Sequence, residues 1–122
     1  MTKKDAILLL EIKRFIDANL EKEITVKDMC RQFIINRTKL QSGFQELFYE
    51  SVYAYILRQR MEMAASRLLN SDDPIKVIAL DCGYRQQRSF TKSFKIFFKD
   101  SPLAYRRKHQ PLDGSFYLSI SE

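Results

Sequence analysis

The second half of the chain repeats the first at an offset of fifty residues. Leu40, Phe44, Phe48, Ser51 and Tyr55 recur as Phe90, Phe94, Phe98, Ser101 and Tyr105. Upstream the offset is forty-nine, with Met29, Cys30 and Phe33 answering to Ile78, Ala79 and Cys82. A slip of one residue between the two blocks suits an inter-helix turn, where length varies freely. Such a duplication names the structural unit before any finer reading. The leading apolar positions recur at i, i+4 and i+8, which lines one face of a helix. The unit therefore reads as a short helix, a tight turn and a second helix. At 122 residues the chain is one domain, or two very small ones sharing an element.

Glycine and proline are scarce, three of each, so the fold class reads as all-α with short joints. The spacing predicts helices over roughly 5–19, 26–33, 37–48, 52–69, 75–81 and 86–98, then a short last helix from Ser101-Pro102 to Arg106-Arg107-Lys108. Thr25, with Asp28 three residues on, forms an imperfect capping box, and Asn36 and Ser51 cap the next two helices. Asp73-Pro74 reads as a capping acid followed by proline at the first helical position, and Gly83 as a left-handed terminator. Phe90, Phe94 and the pair Phe97-Phe98 are expected to face the core. The resulting division is 1–51 for a first helix-turn-helix subdomain, 52–70 for a linker helix, 71–110 for a second subdomain and 111–122 for a tail. In the tail Phe116, Leu118 and Ile120 alternate with Tyr117, Ser119 and Ser121, as in a frayed end, a short surface strand or a dimer contact.

Several function classes fall away. Cys30 and Cys82 lie in apolar helical patterns and form no C-x-x-C pair, so both are expected as buried, reduced thiols of a cytoplasmic protein. His109 is the sole histidine and has no evident partner ligands, so no metal site is expected. No nucleophile–base pair or phosphate loop is visible, so no catalytic residue and no cofactor are expected. The apolar run Ile7 to Leu10 is too short for a membrane span or a signal peptide. Arg60 is expected to form a structural ion pair with Asp81.

Charge is concentrated in one segment. Residues 1–81 hold 13 basic and 12 acidic side chains, whereas residues 82–110 hold 8 basic side chains and a single acid, Asp100. That pattern is the footprint of a polyanion binder, and a helix-turn-helix unit places its second helix in the DNA major groove. Lys39, Arg85 and Lys95 suit phosphate contacts, as do the helix amides beside Ser51 and Ser101.

The stretches Pro74-Ile75-Lys76-Val77-Ile78-Ala79, Cys82-Gly83-Tyr84, Ser89-Phe90, Phe94-Lys95, Ser101-Pro102 and Tyr105-Arg106 occur in one order. With the segment Tyr55-Ile56-Leu57-Arg58-Gln59-Arg60-Met61-Glu62-Met63-Ala64, they resemble the AraC/XylS family of bacterial transcriptional regulators, over roughly residues 7–109. The resemblance implies seven helices, with two helix-turn-helix subdomains joined by a long linker helix. It implies recognition helices in successive major-groove segments on one DNA face. It places base reading on Arg37, Thr38, Gln41 and Ser42 in the first motif, and on Gln86, Gln87, Arg88 and Lys92 in the second. Arginine can pair bidentately with guanine and glutamine with adenine. A linker helix of about 27 Å with its turns approaches the spacing of about 34 Å between successive groove faces. DNA bending at an order of 1–6 kcal/mol would meet any shortfall. The implied partners are double-stranded DNA and RNA polymerase, with activation the commoner role. An effector or dimerisation domain usually accompanies the family's domain, so the chain is expected to be a stand-alone regulator or a piece of a longer one. The alternative is a degenerate relative acting as a protein-interaction module.

The sequence departs from the family at four places. Tyr49 and Lys99 stand where a glycine usually follows the second helix of each motif, at roughly 1 kcal/mol each, so those turns are expected to be tighter or differently shaped. Gln86 replaces a capping side chain. Gly43 lies inside the first recognition helix, at about 1 kcal/mol against alanine, a cost that close packing or close approach to DNA would explain.

Overall fold

Short polar side chains set where most helices begin. In the computed structural model, which describes residues 1–111, Thr2 and Asp5 form a reciprocal capping box that opens α1 (Lys3–Ala18), two residues before the start expected from periodicity. Thr25 accepts the Asp28 amide to open α2 (Val26–Phe33), and Asn36 accepts the Lys39 amide at 2.8 Å to open α3 (Arg37–Phe48). Ser51 caps α4 (Val52–Asn70) through the Ala54 amide, and Ser101 caps α7 (Pro102–His109) through the Ala104 amide. Two starts are weaker. Pro74 is itself the N-cap of α5 (Ile75–Asp81) and not its first residue, and Gln86 caps α6 (Gln87–Phe98) with no side-chain bond. Asp73 does not cap α5, because its carboxylate is drawn 2.7 Å from Arg67. The described residues therefore form seven helices and no strand. The alternating segment of the tail lies outside them.

The helices divide into two compact units, Met1–Gln59 and a second beginning at Arg60, so the boundary falls inside α4. In the first unit α1 packs on α2 and α3, burying Leu9, Ile12, Ile16, Met29, Leu40, Phe44 and Tyr55. In the second α6 packs on α5 and α7, and Met61, Ala64, Leu68, Ile78, Ala79, Cys82, Phe90 and Phe94 are buried.

The duplication is carried into the local geometry of each unit. The Ile35 amide bonds to the Cys30 carbonyl at 3.1 Å, and the Tyr84 amide bonds to the Ala79 carbonyl at 2.9 Å. Both pairs keep the offset of forty-nine. Asn36 and Gln86, the caps that follow, are fifty apart, so Arg85 is the extra residue of the second turn. Beyond it the offset of fifty holds. Phe44 meets Tyr55 edge-on at 5.5 Å, and Phe94 meets Tyr105 edge-on at 5.4 Å. Glu50 pairs with Arg58 at 2.6 Å, and Asp100 with Lys108 at 3.1 Å.

Several expectations need correction. Tyr49 and Lys99 take the left-handed conformation, φ 63 and 66, so the turns keep the shape a glycine would give rather than tightening. Phe97 is exposed and Phe98 half-buried, because α6 spends its core face on Phe90 and Phe94. Cys82 is buried, as expected, but Cys30 is only half-buried; both are free thiols. Asp81 pairs with Arg67 at 3.0 Å, a partner that spacing alone did not name. Gly43 has a packing reason: a Cβ there would lie 2.8 Å from Leu9 Cδ1.

Candidate nucleic-acid interface

The tight turn between α2 and α3 uses Ile34 in the left-handed region, φ 53, and Gly83 at φ 91 serves the second motif. Each turn releases a helix whose inner face is aromatic and whose outer face is polar. On α3 the buried Leu40 and Phe44 turn Arg37, Thr38, Gln41 and Ser42 to solvent. The Ser42 hydroxyl donates to the Thr38 carbonyl one turn back, so its proton is committed and its lone pairs are what it offers. On α6 the buried Phe90 and Phe94 leave Gln87, Arg88, Lys92 and Lys95 exposed, with Gln86 exposed at the cap. Both sets of residues expected to read bases therefore lie on exposed faces.

On α6 a shallow groove is lined by Gln87, Arg88, Thr91, Lys92, Lys95 and Ile96. Sequence reasoning missed Thr91 and Ile96. Both were within reach of spacing, because Thr91 lies four residues after Gln87 and Ile96 four after Lys92. The methyls of Thr91 and Ile96 add apolar lining of the kind that suits a thymine methyl group.

The phosphate candidates are not equivalent. Arg85 is exposed in the second turn, and Lys95 is exposed in the last turn of α6. Ser51 and Ser101 each spend a hydroxyl lone pair on a cap bond, which fixes the amides beside them at a helix start. Lys39 is engaged by Asp5 at 3.0 Å, and its ammonium holds the Asp5 carboxyl below the ordinary carboxylate range. Arg58 is half-buried, bonded to Glu50 and set 5.4 Å from the centre of the Tyr55 ring.

Electrostatically the two helices differ. Within α6 the charged residues are Arg88, Lys92 and Lys95, with no acid. Within α3 they are Arg37 and Lys39, opposed by Glu46 and, across the interface with α1, by Asp5. The second unit also spends basic residues internally. Arg106 donates to the Leu68 and Ser71 carbonyls at 3.0 and 3.2 Å, closing the C-terminal end of α4. Burial pushes the Cys82 thiol up to about 11, so it carries no thiolate at neutral pH. Among the described residues no group of three His, Cys, Asp or Glu side chains could hold a metal ion, and no helix is long and apolar enough to cross a membrane.

Comparison with known proteins gives a consistent set of likenesses. The family model described as "Helix-turn-helix domain" matches residues 29–108. HTH-type transcriptional regulator AlkR of Acinetobacter baylyi is 33% identical over 93 residues, which cover 76% of this chain and 30% of AlkR. Multiple antibiotic resistance protein MarA of Salmonella typhimurium is 29% identical over 117 residues, covering 96% of this chain and 92% of MarA. The chain thus spans less than a third of the first relative and nearly all of the second. The C-terminal domain of AraT, a response regulator from Geobacillus stearothermophilus, matches with a TM-score of 0.82 and 25% identity, over 85% of this chain and 87% of that one. The DNA-binding domain of AdpA, solved in complex with a target DNA, shares the fold with a TM-score of 0.77 and 23% identity, over 82% of this chain and 90% of that one.

Proposed function

The chain belongs to the AraC-type helix-turn-helix family, and from that premise we propose that it is a sequence-specific DNA-binding transcriptional regulator whose α3 and α6 read two successive major-groove segments. The observation that carries this reading is the face of α6. There Arg88, Lys92 and Lys95 stand exposed on a helix without acids, behind a turn built for major-groove entry. Gln86, Gln87, Arg88 and Lys92 in the second motif, with Arg37, Thr38, Gln41 and Ser42 on α3, are the base readers. Arg85, Lys95, Lys39 and the amides beside Ser51 and Ser101 hold phosphates. The protein acts in the cytoplasm, performs no catalysis and, once bound, meets RNA polymerase as an activator. Any effector response belongs to a partner or to a further domain.

Selection from a random duplex library, followed by binding titrations against salt, tests this. Counterion release predicts a log–log slope of about −0.9 per phosphate neutralised. A recovered site with two half-sites about one helical turn apart supports the reading, whereas no enriched sequence and no salt dependence defeat it.

One observation favours a second reading, a protein-interaction module. Ile34, a β-branched residue in the left-handed region, is 91% exposed beside a groove lined by Ile7, Leu8 and Phe33. That reading predicts no duplex preference in the same selection and a specific protein partner in pull-down.

A further inference from the structure

A carboxylate already occupies the cation that the first recognition helix offers to DNA. Lys39 Nζ on α3 lies 3.0 Å from Asp5 Oδ1 on α1. Asp5 is itself held in place, because its Oδ2 accepts the Thr2 amide in the capping box. Its side chain is 18% exposed, against 53% for Lys39, so the carboxylate is the fixed partner and the ammonium the movable one. The pair also sets the Asp5 carboxylate beside the first turn of α3, where the helix dipole would otherwise favour a phosphate. Asn36 closes the same end by accepting the Lys39 amide.

The second motif opens differently. Gln86 makes no side-chain cap bond, and the first turn of α6 contains no acid. The residue that answers to Lys39 at the fifty-residue offset is Ser89. The duplication thus supplies an internal comparison, in which one helix start carries a side-chain cap bond and a bonded lysine and the other has no side-chain cap bond and no acid in its first turn.

We propose that Asp5 is an internal competitor for the DNA phosphate at Lys39, so that a phosphate must displace the carboxylate before that contact forms. The inference rests on the DNA-binding reading above and deepens it. The competition is soft, because an exposed ion pair of this kind is weak. On displacement Asp5 regains a solution cation, which offsets the counterion that DNA releases at Lys39. The first motif therefore adds less salt-dependent affinity than its charges suggest, and the second carries most of it.

The test is fluorescence anisotropy of the whole chain with a mixed-sequence duplex, because a phosphate contact is independent of sequence. Asp5→Asn keeps an oxygen acceptor for the Thr2 amide, and Asp5→Ser is a second variant with a small polar side chain. Glu11→Gln, on the rim of the same groove, removes one negative charge without touching the ion pair. Asp5→Asn is expected to tighten binding by about 1.4- to 5-fold and to steepen the log–log salt slope by about 0.9. In a Lys39→Met background the same change should do nothing. If Asp5→Asn and Glu11→Gln act alike, or if the gain persists without Lys39, the effect is a general field and the competition is overturned. A wild-type chain that binds no duplex at low salt overturns the DNA reading itself, a different result from binding that Asp5→Asn leaves unchanged.

Discussion

Tyr49 and Lys99, fifty residues apart, adopt the same left-handed backbone, φ 63 and 66, and each donates its amide to the carbonyl four residues back at 2.9 Å. Each ends the second helix of its motif, and each is followed by an acid, Glu50 or Asp100, that is tied to the next helix by Arg58 or Lys108. The tertiary frame thus holds a conformation that the side chains disfavour. A left-handed non-glycine residue costs on the order of 1 kcal/mol, and part of that is returned as glycine's greater freedom in the unfolded chain. Tyr49→Gly and Lys99→Gly should each stabilise their unit by about 0.5–1 kcal/mol, read as a higher urea midpoint. A loss of stability at both sites would mean that the exposed side chains contribute more than the backbone strain removes.

Gly43 and Leu9 form a packing pair that a double-mutant cycle can isolate. Alanine at position 43 gains about 1 kcal/mol of helix propensity, but its Cβ would lie 2.8 Å from the buried Leu9 Cδ1. Overpacking of that kind costs about 1–3 kcal/mol. Gly43→Ala alone should therefore be neutral to destabilising, and should become stabilising once Leu9→Ala opens the site. Additive effects in chemical denaturation would remove the packing explanation for this glycine.

Arg67 gives the second unit a defined acid response. It lies 2.7 Å from Asp73 and 3.0 Å from Asp81, and its guanidinium holds the Asp73 carboxyl below the ordinary value of 3.8. A carboxyl with a depressed folded pKa contributes stability that is fully present above the unfolded value and is lost as pH falls through the folded one. Arg67→Met should lower the melting temperature at neutral pH, and the difference from wild type should shrink as pH drops below 3.8. Melting curves that stay equally separated down to low pH would show that the guanidinium contributes through packing alone.

Arg88 and Lys95 should separate base reading from phosphate binding. Arg88→Ala is expected to cost about 1–3 kcal/mol on the selected site and to relax preference at one base pair, while Lys95→Ala weakens all sequences alike and lowers the salt slope by about 1. Binding measured on the selected site and on single-base variants distinguishes them. Equal loss on every sequence for Arg88→Ala would move that side chain to the phosphate set.

The sequence by itself determined the helical segments and their exposed polar faces, because each follows from interactions within one turn of the chain. Helix periodicity places Phe90 and Phe94 inward and Arg88, Lys92 and Lys95 outward with no reference to the rest of the molecule. The caps at Thr25, Asn36, Ser51 and Ser101 are equally local, each bonding an amide three residues on. The choice among chemically equal partners was left to tertiary structure. Arg60 and Arg67 are a heptad apart on α4 and share a helix face, so spacing alone does not name Arg67 as a partner of Asp81; packing of α5 brings the two together. Asp5 and Lys39 meet only because α1 folds onto α3, and Leu9 explains Gly43 for the same reason. Local order is written in short-range periodicity, whereas ion-pair identity, strain tolerance and the occupation of a surface cation depend on segments that become neighbours only after folding.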